Sequence, residues 1–134
     1  MSTGRPLVAV VEDDPSVRRG LERLLRSAGL RVETFSSGSA FLERTGAADP
    51  DCLVLDVSLP GQSGLSLLDG MRARGRDIPV IFITGHGDTM TVAHAMKAGA
   101  YEFLIKPFDG EELLAAIRRA TAAPALAPSG PIRS

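Results

Sequence analysis

Short strand-like runs alternate along the chain with longer segments that have helical periodicity. Five runs have the length and apolar character of strands in a parallel sheet. They are LVAVV (7–11), LRVETF (30–35), DCLVLDV (51–57), IPVIFIT (78–84) and YEFLI (101–105). Each is followed by a segment with a helical pattern. This alternation predicts one parallel sheet with helices on both faces.

The first helix shows the clearest start and end signals. Asp14 is a typical cap, Pro15 suits the first helical position, and Gly29 ends the segment. Its predicted buried face consists of Val17, Leu21, Leu24, Leu25 and Ala28. The other predicted helices are GSAFLERT (38–45) with Ser37 as its cap, LSLLDGMRARG (65–75), TMTVAHAMKAG (89–99) and DGEELLAAIRRA (109–120).

Length and composition predict a single ordinary domain. The chain has 134 residues, a formal charge of -1, 44% apolar residues and no basic stripe, which argues against direct nucleic-acid binding. The first apolar run is too short for a membrane span, and the lone Cys52 cannot form an internal disulfide, so we expect a cytoplasmic protein. We predict a domain over residues 1–121, followed at 122–134 by a Pro/Ala-rich segment that is either a flexible tail or the start of a linker.

The predicted strands end in polar residues, and ligands of open parallel sheets bind beyond the carboxyl ends of the strands. These residues are Glu12, Asp13 and Asp14, then Asp56, Thr84 and Lys106. Taken singly, each has an ordinary explanation, such as helix capping by Asp14 or a turn at Asp56. Together, carboxylates at close range repel by about 4 kcal/mol per pair at an effective dielectric of about 20. The cluster therefore predicts a hard divalent cation, and carboxylate ligands favour Mg²⁺.

With these motifs in this order, the chain resembles the receiver domains of two-component response regulators over about residues 6–121. The segment ITGHGDTMTVAHAMKAGAYEFLIKPF (83–108) is similar to the FixJ-like subgroup. The resemblance implies a single doubly wound (βα)5 domain of the flavodoxin-like, CheY-like fold, with a five-stranded parallel sheet in the order 2-1-3-4-5. It also implies a signalling domain that catalyses only its own phosphorylation and slow dephosphorylation, not an enzyme acting on other substrates.

The same resemblance assigns roles to the residues at the strand ends. Asp56 would accept a phosphoryl group from a phosphohistidine of a sensor histidine kinase. The metal ion would be Mg²⁺, with Mn²⁺ as a substitute. Its ligands would be Asp13, Asp56 and the backbone carbonyl of Ser58, with Glu12 acting through a water molecule.

Further roles follow from the family pattern around the fourth and fifth strands. Thr84 and Lys106 would contact the phosphoryl oxygens, and a cis peptide bond would precede Pro107. Phe103 matches the aromatic switch position, where many relatives have tyrosine, and Tyr101 is the alternative candidate.

Two histidines and the output stay open at this point. Ser58 and His86 occupy positions that tune the hydrolysis of the aspartyl phosphate, although His86 also fits a solvated loop residue, and His94 fits an ordinary helix residue. The resemblance predicts a phosphorylation-dependent homodimer through the fourth helix and fifth strand, and an output domain that is transcriptional. The alternative is a single-domain regulator or phosphate shuttle.

Two other classes of protein fit less well. A metal-dependent phosphatase with an aspartate nucleophile usually has a D-x-D-x-T motif, which LDVSLPG (55–61) lacks. A flavodoxin-like binding module requires a Ser/Thr-rich phosphate loop after the first strand, where VEDDPSV (11–17) is acidic and would repel a phosphate.

Overall fold

A computed structural model of the chain describes residues 5–44, 48–59, 63–85 and 89–122. Five strands form one parallel sheet in the order β2-β1-β3-β4-β5, as the resemblance implied. The strands are β1 (Leu7–Val11), β2 (Arg31–Phe35), β3 (Cys52–Asp56), β4 (Val80–Thr84) and β5 (Glu102–Ile105). The helices are α1 (Pro15–Ser27), α2 (Gly38–Leu42), α3 (Gly64–Ala73), α4 (Thr89–Lys97) and α5 (Gly110–Ala122).

Two apolar layers cover the two faces of the sheet. Alternate residues of β1 point to opposite faces, so Val8 and Val10 join one buried cluster whereas Ala9 and Val11 join the other. The first cluster includes the buried faces of α1 and α5, and the second includes those of α2, α3 and α4. Strands β1, β3 and β4 therefore lie in the middle of a doubly wound sheet, which explains their continuous apolar sequences.

Local sequence signals set most of the helix boundaries. Asp14 caps α1 by accepting hydrogen bonds from the N–H groups of Ser16 (2.9 Å) and Val17 (3.4 Å). Ser37 likewise caps α2, accepting the N–H of Ala40 at 3.1 Å. Both caps were predicted from the sequence.

Three details of the sequence prediction change, and the first is that α2 ends at Leu42 rather than at position 45. Ala28 was expected on the buried face of α1, but it is exposed, because it is the C-cap residue and has already left the helical backbone conformation. Helix α5 extends to Ala122, one residue into the segment predicted as a tail or linker, and residues 123–134 lie outside the described part of the chain.

Cys52 is fully buried as the first residue of β3. Burial, with a smaller contribution from the neighbouring Asp51 carboxylate, raises the pKa of its thiol to about 12. Among the described residues, no helix is both long enough and apolar enough to span a membrane.

Candidate functional site

The carboxyl ends of β1 and β3 bring the acidic residues together. The register pairs Val11 of β1 with Leu55 of β3, so Glu12 and Asp56 follow at the same level of the sheet. Glu12 continues the strand, since its N–H donates to the carbonyl oxygen of Phe35 at 3.0 Å. Parallel pairing of adjacent strands is thus what places two carboxylates that are 44 residues apart side by side.

Glu12, Asp13 and Asp56 form a compact carboxylate cluster. One carboxylate oxygen from each residue lies within 4.8 Å of the others. Glu12 and Asp56 are 1% and 5% exposed, whereas Asp13 is exposed to solvent. The cluster is therefore buried on the side of the sheet and open at its edge. Asp14, the fourth acid at the strand ends, caps α1 instead.

Lys106 contacts two members of this carboxylate cluster. Its Nζ lies 3.3 Å from Glu12 Oε1 and 3.3 Å from Asp56 Oδ2. Its backbone N–H donates to the Thr84 carbonyl at 2.7 Å, and the peptide bond between Lys106 and Pro107 is cis. The lysine that follows the last strand is thus directed at the anions of the site.

The remaining carboxylate oxygens are also occupied by protein donors. Asp56 Oδ1 accepts the N–H of Ser58 at 2.8 Å, and Glu12 Oε2 accepts the N–H of Asp14 at 3.1 Å. Each of the two buried carboxylates therefore has a backbone donor on one oxygen and the Lys106 ammonium on the other. These contacts fix both side chains before any ligand binds.

The electrostatic environment shifts the pKa values of two of these groups. Burial raises the pKa of Glu12 above its ordinary value of 4.5, and the Asp56 charge adds to this effect, against the hydrogen bonds from Asp14 and Lys106. For Lys106, burial lowers the pKa, but the combined attraction of Asp56 and Glu12 outweighs burial and raises it above 10.5. At neutral pH Lys106 is a cation facing the carboxylate cluster.

The donor set suits a divalent cation. Three carboxylates against one ammonium leave an excess of about two negative charges when all three are ionised. The side-chain atoms available as metal ligands are all carboxylate oxygens, which Mg²⁺ prefers. Asp13 and Asp56 could bind such an ion directly.

The other predicted residues of β4 and β5 lie at different depths and at different positions along the strands. Thr84 is 1% exposed at the end of β4, one residue beyond the position that pairs with Asp56. Phe103 is half-buried on β5, with its ring centroid 6.2 Å from that of Phe82. Tyr101, which precedes β5, is exposed. His86 lies outside the described residues, so its tuning role stays a prediction.

Arg18 is a residue at this site that the sequence interpretation missed. Its Nη1 donates to the carbonyl oxygens of Glu12 at 2.9 Å and Asp13 at 3.4 Å. A signal was present in the sequence, because Arg18 falls near the start of α1, where the helix dipole disfavours a cation. In this helix, hydrogen bonds to the two carbonyl oxygens offset that unfavourable position for Arg18.

Comparisons with known proteins agree with this architecture. A family model described as the response regulator receiver domain matches residues 8–118. Response regulator protein TmoT of Ectopseudomonas mendocina is 46% identical over 120 residues, which cover 90% of this chain and 54% of TmoT. Transcriptional regulatory protein FixJ of Azorhizobium caulinodans is 48% identical over 111 residues, covering 83% of this chain and 53% of FixJ.

A solved structure of a receiver domain has the same fold as this chain. The crystal structure of FixJ-N has a TM-score of 0.81 and 37% identity to this chain, covering 91% of this chain and 96% of that one. The chain spans about half the length of the curated relatives described above. From the matched family model, the shared fold and these relatives, we conclude that the chain belongs to the response regulator receiver domain family of two-component systems, in its FixJ-like subgroup.

Proposed function

We propose that Asp56 is the phosphoacceptor of this receiver domain and that a sensor histidine kinase supplies the phosphoryl group in the cytoplasm. The observation that carries this proposal is the position of the Asp56 carboxylate. It lies between the Lys106 ammonium at 3.3 Å and the Ser58 N–H at 2.8 Å, and beside the carboxylates of Glu12 and Asp13.

The proposed phosphoryl transfer to Asp56 depends mainly on neutralisation of negative charge. A carboxylate oxygen of Asp56 forms a bond to phosphorus while the P–N bond to the kinase histidine breaks, and that bonding pair returns to the imidazole. Two anions meet in this step, so positioning and electrostatic stabilisation provide most of the catalysis. Lys106 supplies one cation. Gly85 leaves space next to Thr84, since a Cβ at Gly85 would meet no atom of the described residues within 4 Å.

A metal ion completes the proposed site. We assign Asp13, Asp56 and the Ser58 carbonyl as direct ligands of Mg²⁺, with Glu12 contributing through water and Mn²⁺ able to replace Mg²⁺. When bound, the ion would neutralise the phosphoryl oxygens. The backbone N–H of Ser58 holds Asp56 Oδ1 on one side, and Lys106 holds Oδ2 on the other, so the protein fixes the direction of the nucleophile.

Phosphorylation would then change the surface formed by α4, β5 and α5. The new phosphoryl group carries about -1.5 to -2 charges and three acceptor oxygens. Thr84 would donate to it, and Phe103 would rotate into the space that Thr84 leaves, with Tyr101 as the alternative switch. We propose that this change controls a homodimer through α4 and β5 and a transcriptional output.

Dephosphorylation belongs to the same proposal. The only reactions we propose for this domain are its own phosphorylation and the slow hydrolysis of the aspartyl phosphate. Ser58 and His86 would set the rate of that hydrolysis. Ser58 is exposed and lies two residues beyond Asp56, and its N–H donates to Asp56 Oδ1 at 2.8 Å.

Phosphotransfer from a small donor tests the site assignment. The protein is incubated with acetyl phosphate and Mg²⁺, and intact mass spectrometry measures the added phosphoryl group. We expect one group on the wild type, none on Asp56→Asn, and one on the control Asp69→Asn, whose carboxylate is exposed on α3. Labelling that persists in Asp56→Asn, or a wild type that is never labelled, would refute the assignment.

A further inference from the structure

We propose that Arg18 is a positioning residue for the metal site, acting through the backbone of Glu12 and Asp13. This inference rests on the proposed function, because it concerns the same carboxylate cluster. It goes beyond that function in assigning part of the metal affinity to a side chain that contacts neither the metal ligands' carboxylates nor the phosphoacceptor.

The contacts of Arg18 are directed at the segment that carries the carboxylates. One guanidinium nitrogen, Nη1, donates to the Glu12 carbonyl at 2.9 Å and is 3.4 Å from the Asp13 carbonyl. Arg18 is half-buried, and its own N–H donates to the Asp14 carbonyl at 2.9 Å as part of α1. Arg18 thus donates hydrogen bonds to three consecutive carbonyl oxygens, those of Glu12, Asp13 and Asp14.

These contacts restrain the middle of a loop that is otherwise held at its two ends. The Glu12 N–H is fixed by β2 through Phe35, and the Asp14 N–H is fixed by Glu12 Oε2. Asp13 lies between these points and is the exposed member of the carboxylate cluster. The Arg18 guanidinium holds the peptide groups on either side of the Asp13 α-carbon, which determines where the Asp13 carboxylate points.

The direction in which metal affinity changes when Arg18 is replaced distinguishes a positioning role from a purely electrostatic one. Arg18 is a cation near a proposed cation site, so its charge alone weakens metal binding, and removal of that charge would strengthen it. A positioning role has the opposite consequence, because a freed loop must be ordered again when the metal binds. Groups that orient metal ligands typically contribute about 10-fold to 100-fold in affinity.

The test is direct metal binding, measured without phosphotransfer. Electron paramagnetic resonance counts free Mn²⁺ during a titration of the wild type, and Mg²⁺ competition gives its affinity. We expect Arg18→Leu to weaken binding by about tenfold, equivalent to about 1.4 kcal/mol. The matched control is Arg26→Leu, which removes an arginine from the other end of α1 that also donates to a backbone carbonyl, that of Val32 at 3.1 Å. Arg26→Leu is expected to leave the metal affinity unchanged.

A second variant and a second measurement protect the test. Arg18→Lys keeps the charge but replaces the guanidinium with one ammonium group, and we expect it to lose less metal affinity than Arg18→Leu. If Arg18→Leu does not fold, the metal affinity of Arg18→Lys is compared with that of the wild type. Acetyl phosphate labelling should be slower in Arg18→Leu at limiting Mg²⁺ and approach the wild-type rate at saturating Mg²⁺.

The outcomes distinguish this inference from the proposed function. Unchanged or tighter Mn²⁺ binding in a folded Arg18 variant overturns the positioning role and leaves the phosphoacceptor assignment intact. Slower labelling at every Mg²⁺ concentration also overturns it, because that result indicates a general structural defect. A wild type that binds no Mn²⁺, or binding that survives Asp13→Asn, overturns the metal site itself and this inference with it.

Discussion

Lys106 is the residue on which the charge balance of the site depends. It is the cation among the described side chains that pairs with both buried carboxylates, Glu12 and Asp56. Its own side chain is 31% exposed, so it combines a buried contact with access to an incoming anion. Without a metal ion, this one ammonium offsets part of the repulsion between the carboxylates.

Replacing Lys106 should therefore destabilise the metal-free protein. We expect Lys106→Met to lower the free energy of unfolding by about 1–2 kcal/mol at neutral pH, less than for a fully buried pair because the side chain is partly exposed. Urea denaturation in the presence of a chelator measures the change. Lys97→Met, which removes an exposed lysine of α4, is the control and should have little effect.

The same variant has a predicted pH dependence. The pKa of Lys106 is raised, so its contribution to stability is fully present below about 10.5 and is lost as the pH rises through its higher value in the folded protein. The pKa of Glu12 is also raised, so that carboxylate loses its charge at a higher pH than usual on acidification. The loss of unfolding free energy in Lys106→Met, relative to the wild type, should consequently be largest between neutral pH and about pH 10 and should become smaller toward acid pH. A deficit that is constant with pH would contradict the pairing.

Residue-level prediction from the sequence succeeded where a residue ends a strand. Parallel strands finish at one edge, so the positions of Glu12, Asp13, Asp56 and Lys106 in the sequence were sufficient to bring them together. Arg18 could not be found in the same way, because its partners are backbone carbonyls reached by a long flexible side chain. Neither strand order nor hydrophobic periodicity records such a contact.

At the scale of elements, the position of α3 depends on a close backbone approach. Gly64 is the first residue of α3, and its N–H donates to the Val57 carbonyl at 2.9 Å. A Cβ at this position would lie 2.5 Å from the Asp56 carbonyl oxygen and 3.0 Å from Val57 Cα. The helix can therefore start beside the end of β3 only because residue 64 has no side chain.

Substitution of Gly64 should separate α3 from the end of β3. We expect Gly64→Ala to cost about 1–3 kcal/mol of stability, since backbone atoms cannot move away as a flexible side chain could. Gly70→Ala in the same helix is the control, because a Cβ there meets no atom within 4 Å. That variant should instead gain about 0.5–1 kcal/mol from the lower backbone entropy of alanine in the unfolded chain. Chemical denaturation of both variants tests the contrast, and equal effects would contradict it.

Element order and type were predictable from the sequence, whereas this contact was not. Apolar runs and capping residues identified the strands and most helix starts, because both depend on neighbouring residues. The need for glycine at position 64 arises from the distance between α3 and the Asp56 carbonyl, which is set by packing of Leu67, Leu68 and Met71 in the core. A pattern in one segment contains no information on that distance.

For the whole molecule, the relevant surface is the one around α4 and β5. It carries the large apolar side chains that are exposed among the described residues, including Met90 at 83% and Ile105 at 48%, together with Met96 and Tyr101. Phe103 lies on the same strand and contacts the core through Phe82. An apolar surface next to a half-buried aromatic residue supports the proposed dimer and its switch.

Two substitutions decide between the switch residues. We expect Phe103→Leu to accept the phosphoryl group normally but to weaken the phosphorylated dimer by about tenfold, because leucine cannot reproduce the alternative ring position. Tyr101→Phe removes only a hydroxyl and should dimerise like the wild type. Analytical ultracentrifugation with and without acetyl phosphate measures both. The reverse pattern would assign the switch to Tyr101.

The buried position of Cys52 makes the native chain a ready background for spectroscopic probes. The only thiol of the sequence is fully buried, and its pKa of about 12 leaves almost no thiolate at neutral pH, so alkylating reagents should not modify it while the protein is folded. The variant Met96→Cys, at an exposed position of α4, would then take up a spin label or fluorophore selectively. The proposed change of the α4 surface on phosphorylation could thus be tested directly, with no prior removal of a native cysteine.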